Sequence, residues 1–160
     1  NKTGKATGVD FSEEMIVIAK QKYHYIDFFQ GDALNLDFKD NSFDLTSISF
    51  GIRNVDSTEL CLKEMARVVK PGGKVVILEF GQPLGIFGIF FRLYSKYIMP
   101  FFGKFVTGSA SSFIYLQQTS ANYPCREEFK DIMKSTNLFD EIEYHTLALG
   151  IAFVYVGKVK

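Results

Sequence analysis

The sequence has no tryptophan, two cysteines, two histidines and four prolines, and its charges cancel. Each shortage removes a class of function. Cys61 and Cys125 cannot build a disulfide framework, and so sparse a cysteine content fits a reducing, cytoplasmic compartment. His24 and His145 stand far apart with no cysteine at ligand spacing, so no metal site is expected. Eighteen basic residues face eighteen acidic ones without an extended basic run. Nothing there can track a phosphate backbone, so no nucleic-acid partner is expected. No apolar stretch follows Asn1-Lys2-Thr3-Gly4-Lys5, so no signal peptide is expected. Repeats, low-complexity tracts and interdomain linkers are missing too, which predicts one domain over residues 1–160.

What the chain has in abundance is apolar and aromatic surface. At 47% hydrophobic, 160 residues can bury one domain-sized core. Seventeen phenylalanines and eight tyrosines exceed what a plain sheet core needs. Ala6 to Phe11 reads as a short strand, Ser12 as the N-cap of a helix to about Tyr23, with Met15, Ile16, Ile18 and Ala19 as its buried side. Ile26 to Gln30 is the next strand, closed by Gly31-Asp32-Ala33. A third begins at Phe43 and turns polar at Ser47 and Ser49 before breaking at Gly51. Asp56 or Ser57 caps the following helix, with capping-box spacing from Asp56 to Glu59 and an apolar face of Leu60, Cys61, Met65, Val68 and Val69. Pro71-Gly72-Gly73 stops that helix, and Val75 to Leu78 is an apolar strand covered on both faces. Helices over 109–122 and 126–135 and two strands turning near Gly150 complete the chain. The alternation predicts an α/β fold with a parallel sheet and helices on both sides.

In such folds ligands sit outside the carboxyl ends of the strands. Asp10 ends a strand and opens a helix, where it either binds ribose hydroxyls or caps the helix. Asp32, after the next strand, either contacts a purine amine or is a turn residue. The glycine-rich turn that should precede Asp10 by roughly 20 residues is missing, because Gly4 and Gly8 belong to the acid's own strand. Either the chain is a fragment or the nucleoside reading fails. Arg53 follows the glycine-broken strand end and either faces a ligand or pairs with a carboxylate such as Asp56.

Several stretches together resemble one family. Gly8-Val9-Asp10-Phe11-Ser12, Gln30-Gly31-Asp32-Ala33, Asn41-Ser42-Phe43-Asp44, Ser49-Phe50-Gly51-Ile52-Arg53-Asn54, Lys70-Pro71-Gly72-Gly73 and Leu78-Glu79-Phe80 are similar to the ubiquinone/menaquinone biosynthesis C-methyltransferases. The match runs in order from Gly8 almost to the C-terminus, and Ser-Phe-Gly-Ile-Arg-Asn is its narrowest piece. The resemblance implies a class I, Rossmann-like S-adenosylmethionine-dependent fold, N-terminally truncated, with a helical aromatic-rich insertion and a C-terminal antiparallel hairpin. It implies that Asp10 binds the cofactor ribose, that Asp32 and Ala33 border the adenine, and that Ser49 lies near the methionine portion. Arg53 becomes the catalytic candidate, since a guanidinium there stabilises the phenolate of a quinol undergoing ring methylation. Asn54 supports Arg53, and Tyr94, Tyr97, Tyr115 and Tyr123 are candidates to orient the ring.

The implied substrate is a lipophilic quinol, a demethylmenaquinol or the related benzoquinol. Residues 84–106 hold Phe87, Phe90, Phe91, Phe101, Phe102 and Phe105 among glycines and cations. This block is read as part of a lid over 84–124, a channel for a polyprenyl tail or a face touching the inner membrane, against the plainer reading that it caps the sheet. Arg92, Lys96, Lys104 and Pro100 argue against a membrane span. Two rival readings remain. One is methylation of oxygen or nitrogen in a small molecule. The other is a cofactor-free chain that self-associates or needs a partner segment, with S-adenosylmethionine bound weakly or not at all.

Overall fold

The computed structural model describes residues 4–99 and 111–160. Its strands lie in two sheets. In the smaller, β1 (Thr7–Asp10) runs parallel to β2 (Asp27–Gln30) with Asp10 opposite Gln30, and α1 (Glu13–Lys22) joins them. The larger sheet has the order β3-β4-β6-β5. There β3 (Phe43–Ser49) is parallel to β4 (Val69–Phe80), while β6 (Ala152–Val159) is antiparallel to both β4 and β5 (Phe139–Leu147). Helix α2 (Thr58–Arg67) crosses from β3 to β4. After β4 come α3 (Gly85–Leu93), a π-type turn over Tyr94–Ile98, α4 (Ser111–Asn122) and α5 (Glu127–Ser135).

The two parallel crossovers and the terminal hairpin are the predicted ones, the hairpin turning through Ala148–Gly150 with Gly150 at φ 94°. The single parallel sheet is not. Among the described residues no ladder joins β1 to β3, so each keeps one edge without a partner strand. This corrects the reading of α1. Only Ile16 is buried, and Met15 and Ile18 are 53% and 55% exposed, because α1 packs chiefly on two short strands.

Of the two cap candidates for α2, Ser57 is the one used, its hydroxyl accepting the Leu60 amide at 3.2 Å. The buried face of α2 is Cys61, Leu62, Met65 and Ala66, while Leu60 points outward. Pro71-Gly72-Gly73 lies inside β4, where the register with β3 jumps from Val69 to Lys74. Gly72 supplies φ 79°, and a Cβ on Gly73 would sit 2.7 Å from the Asp44 carbonyl oxygen, so the irregularity requires both glycines.

The core sits between the larger sheet and helices α2 and α5. Leu62, Ile77, Phe129, Met133, Phe153 and Tyr155 are all but inaccessible. Phe129 and Tyr155 stack with centroids 4.5 Å apart, and the Tyr155 hydroxyl accepts the Arg126 amide. The loop from β2 to β3 is tied to α2 by Arg67, which donates to the carbonyls of Leu36 and Phe38 and to Asp40 and Glu64. Those bonds hold the Glu64 carboxyl below its usual range, Arg67 being the main cause. The aromatic block behaves otherwise. Leu84, Ile86, Phe90 and Tyr97 are exposed, and Phe101, Phe102 and Phe105 lie outside the described residues. No described helix is long and apolar enough to cross a membrane.

Urea denaturation separates these two environments. Phe129→Ala is expected to destabilise by about 3–5 kcal/mol through loss of buried contacts and a residual cavity. Ile18→Ala, on the exposed side of α1, is expected to change stability by no more than about 0.5 kcal/mol.

Candidate functional site

The site grows from the carboxyl ends of β3 and β4, held in register by Ser49 opposite Leu78 and by the Phe50 amide donating to the Leu78 carbonyl at 2.8 Å. The chain leaves β3 at Phe50, not at Gly51. Phe50 takes φ 56°, a left-handed conformation unfavourable for a bulky residue, whereas Gly51 has φ −114°. Phe50 is held there by stacking on Phe80 at 4.3 Å and by its carbonyl, which accepts Arg53 Nη1 at 2.5 Å. A single 3₁₀ turn, Ile52–Asn54, follows, and Ile52 anchors it in the core.

That turn directs Arg53 inward across the end of β4. Its side chain is 7% exposed and meets Glu79, 2% exposed, with Nη1 2.7 Å from Oε1. The partner expected from spacing, Asp56, is exposed and not the one used. The guanidinium also lies 5.3 Å from the Phe80 ring centroid, and Nε donates to the Thr119 hydroxyl at 3.3 Å. Taking two charges out of water costs several kcal/mol per ion, which only close contact and further hydrogen bonds offset. Arg53 has those bonds. Glu79 uses Oε1 twice, for Arg53 and for the Phe80 amide at 2.8 Å, while Oε2 is buried with no partner.

Helix α4 covers the pair through polar links. Tyr115 donates to the Asn54 side-chain oxygen at 3.0 Å, which joins two of the expected residues next to Arg53. Just past α4, the Tyr123 hydroxyl lies 2.8 Å from that of Thr58. Burial pushes the Tyr123 phenol up to about 12, with the Glu79 charge adding to the effect. Gln82 donates to the carbonyls of Ser120 and Tyr123. Tyr94 and Tyr97 are exposed, on the π-type turn, and form no hydrogen bond with the Arg53 cluster.

Asp10, Asp32 and Ser49 all stand at strand ends, exposed. Asp10 uses one carboxylate oxygen for the Ser12 amide at 2.8 Å, and Asp32 one for the Leu34 amide at 2.8 Å. Each second oxygen is without a partner among the described residues, so both acids hold turns and keep one acceptor oxygen uncommitted. Ala33 is half-buried against the core. The Gly31 amide donates to the Asp10 carbonyl, which sets the two acids on one edge. The Asp32 charge reaches Cys61, in the second turn of α2, and adds to the burial that pushes that thiol up to about 11. Asp32 therefore lies toward the α2 end that follows Arg53. Sequence reasoning missed Glu79, Thr119 and Gln82. The signal for Glu79 was a single acid closing the apolar run Val75-Val76-Ile77-Leu78.

Known proteins resemble this chain in sequence and fold. Among curated proteins, the ubiquinone/menaquinone biosynthesis C-methyltransferase UbiE of Bdellovibrio bacteriovorus is 49% identical, over 99% of this chain and 69% of its own length. The demethylmenaquinone methyltransferase of Staphylococcus aureus strain MRSA252 is 42% identical over 97% of this chain and 66% of its own. The chain thus spans about two thirds of the relatives it matches. An S-adenosylmethionine-dependent methyltransferase from Thermotoga maritima superposes with a TM-score of 0.69 at 25% identity, over 97% of this chain and 73% of that one. Phosphoethanolamine N-methyltransferase 2 of Haemonchus contortus, in complex with S-adenosyl-L-methionine, gives 0.66 at 18% identity over 96% and 43%. The fold is therefore that of the class I S-adenosylmethionine-dependent methyltransferases. With the family profile matching residues 1–159, the chain belongs to the ubiE/COQ5 methyltransferase family.

Proposed function

We propose that the protein methylates a ring carbon of a polyprenylated quinol, a demethylmenaquinol or the related benzoquinol, at the rim formed by β3 and β4. The observation that carries this reading is a guanidinium held almost out of water at the strand ends, beside the linked Asn54 and Tyr115. S-adenosylmethionine supplies an electrophilic methyl group. The chain's own residues do the rest. Asp10 binds the ribose, Asp32 and Ala33 border the adenine, and Ser49 lies beside the methionine portion. Arg53 stabilises the negative charge that develops on the quinol oxygen as the ring becomes nucleophilic. Asn54 and Tyr115 keep the 3₁₀ turn in place, and Tyr94, Tyr97 and Tyr115 line the approach of the ring.

The segment 84–124 acts as a hood that excludes water. The exposed side chains of Leu84, Ile86, Ile89, Phe90 and Leu93, interrupted by Arg92, suit a polyprenyl tail or a lipid surface. A second reading applies to the 160-residue chain by itself. The partnerless edges of β1 and β3, with Phe29 and Leu45 half exposed beside them, favour self-association over cofactor binding.

Four measurements test these statements. Calorimetry of these 160 residues alone against S-adenosylmethionine is expected to show weak or no binding, because residues 1–9 hold no glycine-rich turn of the kind that cradles a nucleotide. Tight stoichiometric binding contradicts this. In a fusion that places a family relative's glycine-rich turn ahead of Asn1, Arg53→Lys is expected to lower kcat on a demethylmenaquinol by about 10²–10³ with little change in affinity for the methyl donor. In the same fusion, Asp10→Ala is expected to weaken donor binding, with kcat at saturation largely kept. A panel of oxygen and nitrogen acceptors turned over faster than the quinol would replace the proposed substrate class.

A further inference from the structure

Among the described residues, one buried side-chain polar atom has no hydrogen-bond partner, and it is Oε2 of Glu79. The same residue is the single charged side chain in the buried set. Buried polar groups are nearly always hydrogen-bonded, and a carboxylate oxygen left bare has lost hydration with nothing to replace it. The neighbouring oxygen is saturated by Arg53 Nη1 and the Phe80 amide. Oε2 thus lacks a donor that the fold itself does not supply. The titratable groups around Glu79 are Arg53, from the 3₁₀ turn, and Tyr123, beyond α4, whose phenol stays protonated at neutral pH.

We propose that Glu79 is the acceptor of the substrate's ring-hydroxyl proton, with Arg53 as the cation shared by the carboxylate before transfer and by the oxyanion after it. This inference rests on the quinol-methylation reading above. The electrostatics favour such an exchange. Before transfer the cluster holds one guanidinium and one carboxylate; after it, one guanidinium, one neutral carboxylic acid and one oxyanion. The buried net charge does not change, so the transfer adds no new ion to desolvate. A strong O–H···O⁻ hydrogen bond to Oε2 precedes it.

The step balances. The hydroxyl O–H bond breaks, its proton goes to Oε2, and its electron pair stays on oxygen. Delocalised into the ring, that pair lets a ring carbon form its bond to the transferred methyl, whose former bonding pair remains on sulfur. The ring carbon then loses its hydrogen as a proton, which restores aromaticity, and the proton on Glu79 returns to the quinol oxygen. One proton is released in all.

Glu79 is closed from solvent, and α4 lies over its partner Arg53 through Thr119. The links of α4 to the strand ends include hydrogen bonds from Tyr115 and to Thr119 and Ser120. Admission of a ring to Oε2 exchanges these polar contacts.

The test uses 1-naphthol, a soluble ring hydroxyl that is neutral in water at neutral pH and whose anion has a distinct absorbance. Titrated with the protein, it is expected to show the naphtholate spectrum on binding. Glu79→Gln keeps the shape and turns the acceptor at Oε2 into a donor. It is expected to bind 1-naphthol in the neutral form, with the ionised fraction reduced about tenfold or more, equivalent to one pKa unit. Glu79→Asp, which retains the charge but withdraws the oxygen, is expected to give an intermediate spectrum, and it serves alone if Glu79→Gln does not fold. Equal naphtholate signals in wild type and the folded variants overturn the role of Glu79 and leave the quinol reading standing. Wild type binding 1-naphthol only in its neutral form overturns it too, since a resident water on Oε2 then explains the bare oxygen. No saturable binding by wild type overturns both readings.

Discussion

Arg53 and Glu79 meet almost entirely out of water, and most of what is ordered at the rim of the larger sheet follows from that contact. Two residues 26 positions apart are brought together by strand pairing. The parallel ladder places Ser49 opposite Leu78, and the 3₁₀ turn that follows Ser49 brings Arg53 back to Glu79, the next residue of β4. Breaking such a pair by removing one member leaves a buried charge, at a cost of about 3–5 kcal/mol. The left-handed Phe50 is tolerable for the same reason. Its carbonyl is bound by the guanidinium and its ring lies on Phe80, so the surroundings over-determine a conformation that costs about 1–3 kcal/mol in isolation.

Away from the rim, the smaller sheet depends on polar ties more than on a shared core. Helix α1 buries one residue, and the loop after β2 reaches α2 through Arg67 and Glu64. Leu34 and Ala33 add apolar contact to the main core, and Phe38 bridges Phe29 and Phe43 edge-on. Asp10 and Asp32 therefore sit on a unit whose attachment is concentrated in residues 31–42. Their placement relative to Arg53 depends on that loop, and Arg67, the last residue of α2, ties it down through Leu36, Phe38 and Asp40.

How much of this was legible in the sequence depended on whether the deciding interaction was local. Ser12 and Ser57 cap helices by contacts within three residues, and both are visible in the residues around them. The strand ends at Asp10, Ser49 and Gly150 are local too. What was misread involves the third dimension. The apolar side of α1 looked buried because periodicity reports a stripe and not what covers it. Lys70-Pro71-Gly72-Gly73 looked like a helix stop because its glycines serve a register jump set by β3. Asp56 looked like the natural partner of Arg53 because it is near in sequence, whereas Glu79 is near only after β3 and β4 have paired. The family resemblance supplied Arg53 and the strand-end acids, but the carboxylate facing Arg53 needed coordinates.

The aromatic surplus is likewise divided by environment. Phe129, Phe153, Tyr144 and Tyr155 stack between α5 and the antiparallel strands, and each ring there removes a large area from water. Phe87, Phe90, Tyr94 and Tyr97 do not join that cluster and remain largely exposed. Exposed apolar area forgoes roughly 25 cal/mol per Å² of burial, so rings left outside contribute little to folding. Helix α4, which follows them, is tied to the strand ends by hydrogen bonds through Tyr115, Thr119 and Ser120, with a net worth of about 0.5–1.5 kcal/mol each. The chain thus divides by environment: α2, α5 and the larger sheet close a core, while the described rings of α3 and the π-type turn stay outside it. The Arg53–Glu79 pair sits where these regions meet, because a wholly apolar seal would leave the guanidinium without its Thr119 acceptor and an open rim would let water screen its charge.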